Sequence, residues 1–339
     1  MLRIGITGLG FMGMIHYLAY QKLDGVKVTA ICDIIPERLQ GDWTKIKGNF
    51  GPQGTMMDMS GIKTYADMHD LFADPNVDVV DICLPPSLHY AATVAALDAK
   101  KQVFCEKPIA LKLENALAMV DTAKKNGKLF MVGHVLPFFT SHAFVYDAFK
   151  SGRYGRILGG TFNRVISDPT WLSNFYDMNV IGGPLLDLHI HDAHFIRLLF
   201  GRPKAVQSVG RLRGDVPEYF MSQFLFDDPK LVVTATSGTI QQQGRPFTHG
   251  YEVHFEKATL LCESFMGMAP TILTADGKVE KPELPSIDEV GIFANELKEA
   301  TDAFKRGENS SILDGQLACD ALELALRQMK SVQGGGVRS

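Results

Sequence analysis

Short apolar runs alternate with stretches of helical spacing through the first part of the chain. Leu2–Thr7, Val26–Cys32, Val79–Leu84, Gln102–Cys105 and Leu129–Val132 read as strands. Several are apolar almost throughout, as expected of a parallel sheet with helices on both faces. Between them, Met14, Ile15 and Leu18 recur at helical spacing before Gly25. Leu113, Leu117, Val120 and Ala123 form a second stripe, which Asn126-Gly127 ends. The alternation predicts a doubly wound parallel α/β sheet. The segment 41–61 breaks the rhythm with Gly41, Gly48, Gly51, Pro52, Gly54 and Gly61. It reads as a long surface insertion between the second and third strands, either a mobile loop or a lid over a ligand.

After about residue 135 the pattern changes. A helix is predicted over Ser141–Lys150, stopped at Ser151-Gly152. Longer strand candidates follow at Arg156–Ile166, Ala205–Leu212, Tyr219–Phe226, Leu231–Gly238, Gly250–Phe255 and Ala258–Cys262, with turns at Asp227-Asp228-Pro229 and Asp276-Gly277. They predict a mostly antiparallel sheet carrying a helix over Gly183–Leu199. Ser286-Ile287-Asp288-Glu289 fits a capping box for a helix to about Phe304. Asp314 is placed to cap a last helix over about 314–332, and the Gly334-Gly335-Gly336 tail is expected to fray.

The length of 339 residues suits two domains. Lys+Arg is 34 and Asp+Glu is 38, a net charge of −4, which argues against a nucleic-acid or anionic-membrane partner. No run approaches ~18 uninterrupted apolar residues, and the start Met1-Leu2-Arg3-Ile4 carries no secretory pattern, so a cytoplasmic location is expected. The five cysteines are scattered without a C-x-x-C and read as buried, reduced thiols.

Chemistry enters with Gly8-Leu9-Gly10-Phe11-Met12-Gly13, a G-x-G-x-x-G between the first strand and first helix. Gly8 permits the tight turn, Gly10 lets backbone approach a pyrophosphate, and Gly13 allows close helix–strand packing. Asp33 ends the second strand 20 residues after Gly13 and suits ribose hydroxyls. Ile34 and Ile35 follow it, and Arg38 lies farther on, so NAD is expected over NADP. Lys107, in Glu106-Lys107-Pro108, falls at the carboxyl edge of a sheet strand, where a cation stabilises developing alkoxide. Beyond Gly182-Gly183, helical spacing sets Asp187, His191 and His194 on one face with His189 roughly opposite. Asp187 is then placed to orient His191 as a general acid/base. The same D-x-x-x-H-x-x-H also suits a metal, although a metal-free site is preferred.

Together Gly8–Gly13, Glu106-Lys107-Pro108 and Gly182-Gly183…Asp187…His191 resemble the Gfo/Idh/MocA oxidoreductases. The resemblance runs from residue 2 to about 330. It implies an NAD(P)-binding Rossmann domain over 1–134 and an α/β domain with an open, mainly antiparallel sheet over 135–339. It implies hydride transfer between a nicotinamide and a sugar or cyclitol carbinol, with Lys107, Asp187 and His191 as the catalytic residues. Leu84, Pro85, Pro86, His89 and Glu106 fall among its cofactor-border positions. His189, His194 and Pro137, the last in Gly133-His134-Val135-Leu136-Pro137, depart from the family pattern, which bears on substrate. His134, His194 and Trp171 are the substrate-contact candidates, Trp171 because aromatic faces stack on sugar rings. Self-association through the second sheet is expected. Two other functions stay open: a redox-neutral sugar-processing enzyme with bound NAD, and a non-catalytic nicotinamide sensor.

Overall fold

The apolar runs of the first part pair side by side. The computed structural model describes every residue except Asn49 and 264–268. By spatial grouping the chain forms two compact units, Met1–Val135 with Ile287–Ala318, and Leu136–Ser286 with Cys319–Ser339.

The first unit begins with β1 (Leu2–Thr7), α1 (Phe11–Tyr20), β2 (Val26–Cys32), α2 (Pro36–Leu39), β3 (Lys63–Tyr65) and α3 (Met68–Ala73). It continues with β4 (Val79–Ile82), α4 (Pro86–Asp98), β5 (Gln102–Glu106), α5 (Leu113–Asn126) and β6 (Phe130–Gly133). The sheet order is β3-β2-β1-β4-β5-β6 with all neighbours parallel. This is the Rossmann order, and its direction of winding reverses between β1 and β4. α5 ends at Gly127 in the left-handed conformation, φ 61°. β4 stops at Ile82, so Leu84 belongs to the loop beyond it.

The insertion 41–61 is not a bare mobile loop. Trp43 is fully buried, its indole N–H donates to the Arg38 carbonyl at 2.9 Å, and its ring meets Tyr17 edge-on at 5.0 Å. Asp42 pairs with Met56 in an isolated bridge. The segment is therefore pinned against α1; Asn49 within it lies outside the described residues.

The second unit contains α6 (Thr140–Ser151), β7 (Ile157–Ser167), α7 (Ile190–Phe200), β8 (Ala205–Arg213), β9 (Val216–Leu225) and β10 (Val232–Ile240). β11 (Thr248–Phe255), β12 (Ala258–Glu263), β13 (Thr271–Thr274) and β14 (Val279–Glu280) complete it. Its sheet runs β14-β13-β12-β11-β7-β10-β9-β8. β7 and β10 are parallel, and the other described neighbours are antiparallel. Alternation sorts the faces: Phe220, Ser222, Phe224, Val233 and Ala235 are buried, whereas Val209, Met221 and Val232 are 48%, 51% and 60% exposed on the other side.

The chain returns to the first unit for α8 (Glu289–Arg306), which packs on α1. Asp288 is its cap, accepting the Gly291 N–H at 2.6 Å. The expected capping box is corrected: Glu289 is the first helical residue, so Ser286 lies too far upstream to cap. α9 (Gly315–Gln333) starts beside Asp314, whose carboxylate accepts the Gln316 N–H at 2.7 Å. The tail does not fray as expected. Ser339 and Val206 exchange both backbone hydrogen bonds at 2.9 Å, extending the edge at β8. All five cysteines are buried free thiols. Among the described residues no helix is long and apolar enough to cross a membrane.

If Trp43 anchors the insertion, Trp43→Ala lowers the unfolding free energy by about 3–5 kcal/mol. Urea melts measure this, and a change under about 1 kcal/mol would show that the segment is held some other way.

Candidate functional site

α1 approaches the sheet closely behind β1. A Cβ on Gly13 would sit 2.0 Å from the Gly8 carbonyl oxygen, and one on Gly8, at φ 89°, would sit 2.6 Å from the Cys83 carbonyl oxygen. Gly10 faces open space, with nothing within 4 Å of its Cβ position. Its carbonyl accepts the Met14 N–H at 3.0 Å, so the helix begins here with its first amides pointing outward. A cleft of about 760 Å³ opens above, lined by Gly8, Gly10, Phe11, Met12, Asp33 and Pro85 among others. It lies at the carboxyl ends of β1 and β4, where a doubly wound sheet takes its ligand. Room at Gly10 and the exposed amides fit the pyrophosphate of a dinucleotide.

Asp33 is buried at the end of β2. One carboxylate oxygen accepts the Leu9 N–H at 2.7 Å, and the other accepts the Ile35 N–H at 2.8 Å. The sequence spacing leaves Arg38 distant, but the one-turn α2 brings it back, and its guanidinium donates to Asp33 at 3.2 Å. Ala66, Asp67, Met68 and Leu88 also line the cleft. These residues carry no motif, so only the fold reveals them.

Lys107 is half-buried just past β5. Its backbone N–H donates to the carboxylate of Glu106 at 3.1 Å. Glu106 and His89, expected at the cofactor border, both lie beneath the surface. Glu106 turns inward toward His16, 3.0 Å away. His89 is fully buried between the Leu84 and Pro108 carbonyls, 2.7 and 2.8 Å from its two ring nitrogens. It ties the loop after β4 to the loop after β5. His134 is also fully buried.

In the second unit Gly182 and Gly183 have φ 91° and 70°. They turn the chain into a π-helical segment, Leu185–His189, that runs directly into α7. The helix expected over Gly183–Leu199 is thus unbroken but contains a π-helical stretch, and Asp187 sits in the wide turn. Such turns favour functional sites because they displace a side chain without ending the helix. Asp187 and His191 are both half-buried, whereas Leu186, Leu188, His189 and His194 are buried. His189 points into the core, as its opposite helical phase implies. Its ring meets Phe220 edge-on at 5.1 Å and bonds Gln328. His194 has no exposed surface. Among the described residues, the group that gathers three potential metal-ligating atoms within 4.8 Å is His16, Asp81 and Cys83. Asp187, His191 and His194 form no such group.

Trp171 is 61% exposed. Its loop is anchored by buried Phe175, which packs with Leu188 and Ile166, and by the Tyr176 hydroxyl, which donates to Asp168 at 2.9 Å. Arg164 on β7 donates two hydrogen bonds to Asp192, at 2.6 and 3.1 Å, and both residues are buried. The pair ties the strand to α7 at the residue after His191.

The family model described as an oxidoreductase family with an NAD-binding Rossmann fold matches residues 2–134, and the model of the GFO/IDH/MocA C-terminal domain matches 142–261. A myo-inositol 2-dehydrogenase of Thermotoga maritima is 32% identical over 203 residues, 59% of this chain and 55% of that protein. An inositol 2-dehydrogenase of Salmonella typhimurium is 26% identical over 285 residues, 81% of this chain and 75% of that protein. The chain spans about half the length of the first relatives it matches, 55% and 42%. A levoglucosan dehydrogenase solved with NADH and levoglucosan superposes with a TM-score of 0.83 at 20% identity, over 100% of this chain and 98% of that one. That likeness is one of fold.

The buried ion pair Arg164–Asp192 has neutral histidines around it. Burial and nearby Arg164 push His249 down to about 3. Burial pushes His189 down to about 4, Asp192 opposing and Arg164 assisting. An unfolded chain protonates both rings as pH falls through about 6.5, whereas the folded chain does not. Their contribution is complete above that pH and declines as pH falls, by about 2 kcal/mol per ring at pH 5. Thermal melts between pH 7.5 and 5 are expected to show this loss. His249→Phe, which keeps the ring contacts with Phe139 and Phe247, should flatten the dependence, and an unchanged slope would refute the assignment.

Proposed function

Because the chain belongs to the Gfo/Idh/MocA oxidoreductases, we propose that it transfers a hydride between a nicotinamide and a secondary hydroxyl of a sugar, cyclitol or related polyol. The observation that carries this reading is the half-buried Asp187/His191 pair in a π-to-α helical junction, in a chain whose Rossmann unit has a dinucleotide-sized cleft and half-buried Lys107 just past β5. When bound, the nicotinamide supplies the hydride acceptor or donor. Residues 8–13 would hold its pyrophosphate, and Asp33 the adenosine ribose. In the oxidative direction His191, oriented by Asp187, takes the hydroxyl proton as the carbinol hydrogen leaves with its electron pair, and the carbon–oxygen bond becomes a carbonyl. Lys107 steadies the oxygen as charge develops on it. NAD is favoured over NADP because Asp33 presents a carboxylate at the end of β2 and the nearby Arg38 is bound to it. The dehydrogenase names of the relatives support a polyol or sugar substrate. The exposed Val209, Met221 and Val232 support self-association over the open sheet face. Sedimentation is expected to show an oligomer that Met221→Glu disperses; a wild-type monomer at micromolar concentration would contradict this.

The activity is tested with a panel of sugars and cyclitols, NAD+ and NADP+ in parallel, followed at the reduced-nicotinamide absorbance. Net NADH is expected, and product without net NADH would mean a redox-neutral cycle. With the substrate in hand, Lys107→Ala and His191→Ala should each lower kcat by on the order of 10²-fold or more while NADH still binds. Near wild-type turnover in both would sink the assignment.

A further inference from the structure

Beneath the glycine loop, the first unit buries a group of titratable side chains that the hydride transfer itself does not use. His16, on α1, is fully buried, as is Asp81 in the middle of β4. The His16 Nδ1 lies 2.9 Å from Asp81 Oδ2, and Nε2 lies 3.0 Å from Glu106 Oε1. Cys83 Sγ is 3.3 Å from Nδ1. The second Glu106 oxygen accepts the Lys107 backbone N–H at 3.1 Å. Phe293 from α8 and Phe104 from β5 close the apolar walls, with ring centroids 6.0 and 5.9 Å from His16.

Two carboxylates on one buried imidazole demand a cation between them, because an uncompensated buried charge costs several kcal/mol. Three potential ligands within 4.8 Å would also suit a metal ion. Here His16 Nδ1 is hydrogen-bonded to the Asp81 carboxylate and Nε2 stands at ion-pair distance from the Glu106 carboxylate, outside hydrogen-bond geometry, so the imidazole itself is the cation. Its titration agrees. Burial works against the charge, but the Cys83 sulfur, as an acceptor beside Nδ1, and the Asp81 carboxylate outweigh it and hold His16 well above the ordinary imidazole value. The other groups facing the cluster are neutral. Burial pushes the Cys83 thiol up, burial with Asp81 pushes the Tyr20 hydroxyl up, and burial with Glu106 pushes the Glu296 carboxyl from α8 well up.

We infer that His16 is a positioning residue for the proposed reaction: it fixes the Glu106 carboxylate, which in turn fixes the backbone of Lys107 at the carboxyl edge of the sheet. The inference rests on the reading of Lys107 as the group that steadies the reacting oxygen. A displacement of about 1 Å in such a group can cost up to 10²-fold in rate, so the device is worth having even though His16 touches neither substrate nor cofactor. Glu106 is the common element. A glutamine there has one oxygen and one amide for two donors, so it cannot serve both His16 and Lys107.

The test compares wild type with H16Q, E106Q, K107A and the H16Q/K107A and E106Q/K107A doubles, each checked for folding by circular dichroism and for NADH affinity by fluorescence titration. H16Q and E106Q should bind NADH like wild type and lose kcat by on the order of 10-fold or more. In the K107A background neither should lower the residual rate further, since each acts only through Lys107. Wild-type kcat in both folded single variants overturns the inference, and so does a loss of the same factor in the K107A background, which marks a merely structural role. If H16Q does not fold, E106Q and its double carry the same comparison. K107A turning over like wild type removes the reading beneath the inference, and the inference with it. A readout independent of turnover is nitrogen-15 NMR of histidine-labelled protein. One ring should stay doubly protonated at pH 8 and disappear in H16Q, and a neutral His16 would overturn the inference without any substrate.

Discussion

The close approach of α1 to the β1–β4 edge is the constraint on which the first unit depends. A dinucleotide pyrophosphate has to reach bare amides, so the helix must start almost against the strand. Gly13 and Gly8 are the positions where any side chain would collide with backbone. Once the helix is that close, the residue one turn further on, His16, faces the centre of β4 rather than its end. A polar group so placed has to be met by another. Asp81 inside a parallel strand and Glu106 at the end of its neighbour answer that requirement. The requirement of the cofactor and the arrangement around Lys107 are thus two results of one packing distance.

The second unit meets a different requirement. It has to keep the proposed acid/base pair, Asp187 and His191, partly open on a helix most of whose other residues are buried. The π segment before α7 does this by widening one turn at Asp187. Gly182 and Gly183 supply the entry, and Phe175 packs under the turn at Leu188. On the far side Arg164 and Asp192 lock α7 to β7. Removing one member of such a buried pair leaves the other charged and unpaired, which costs far more than a surface pair would.

Much of this was legible in sequence, for identifiable reasons. β1 and β2 stand out because a short, continuous apolar run between turn residues suits a strand covered on both faces. Gly127 and Gly152 mark helix ends because each takes a positive φ. β3 is hidden because it has three residues, none apolar enough to form a run. Arg38 is hidden because a one-turn helix reverses direction in a way spacing does not reveal. The apolar stripe of α8 shows that the helix packs on something but does not say that it packs on α1. Asp187 and His191 were visible as a helical pair; the π turn was not, since it leaves no mark in residue type. Trp43 was the overlooked signal in the insertion, because a lone tryptophan amid glycines implies an anchor.

The burial of Trp43 has an optical consequence. The chain has two tryptophans, one in each unit, and their surroundings are opposite: Trp43 is sealed among Tyr17 and backbone, Trp171 stands in solvent. A dry indole emits at shorter wavelength than a wet one and resists collisional quenchers. The fluorescence of the unmodified protein is therefore already resolved into two channels. The quencher-resistant blue component follows the integrity of the first unit, and the quenchable red component follows what settles on the Trp171 loop of the second.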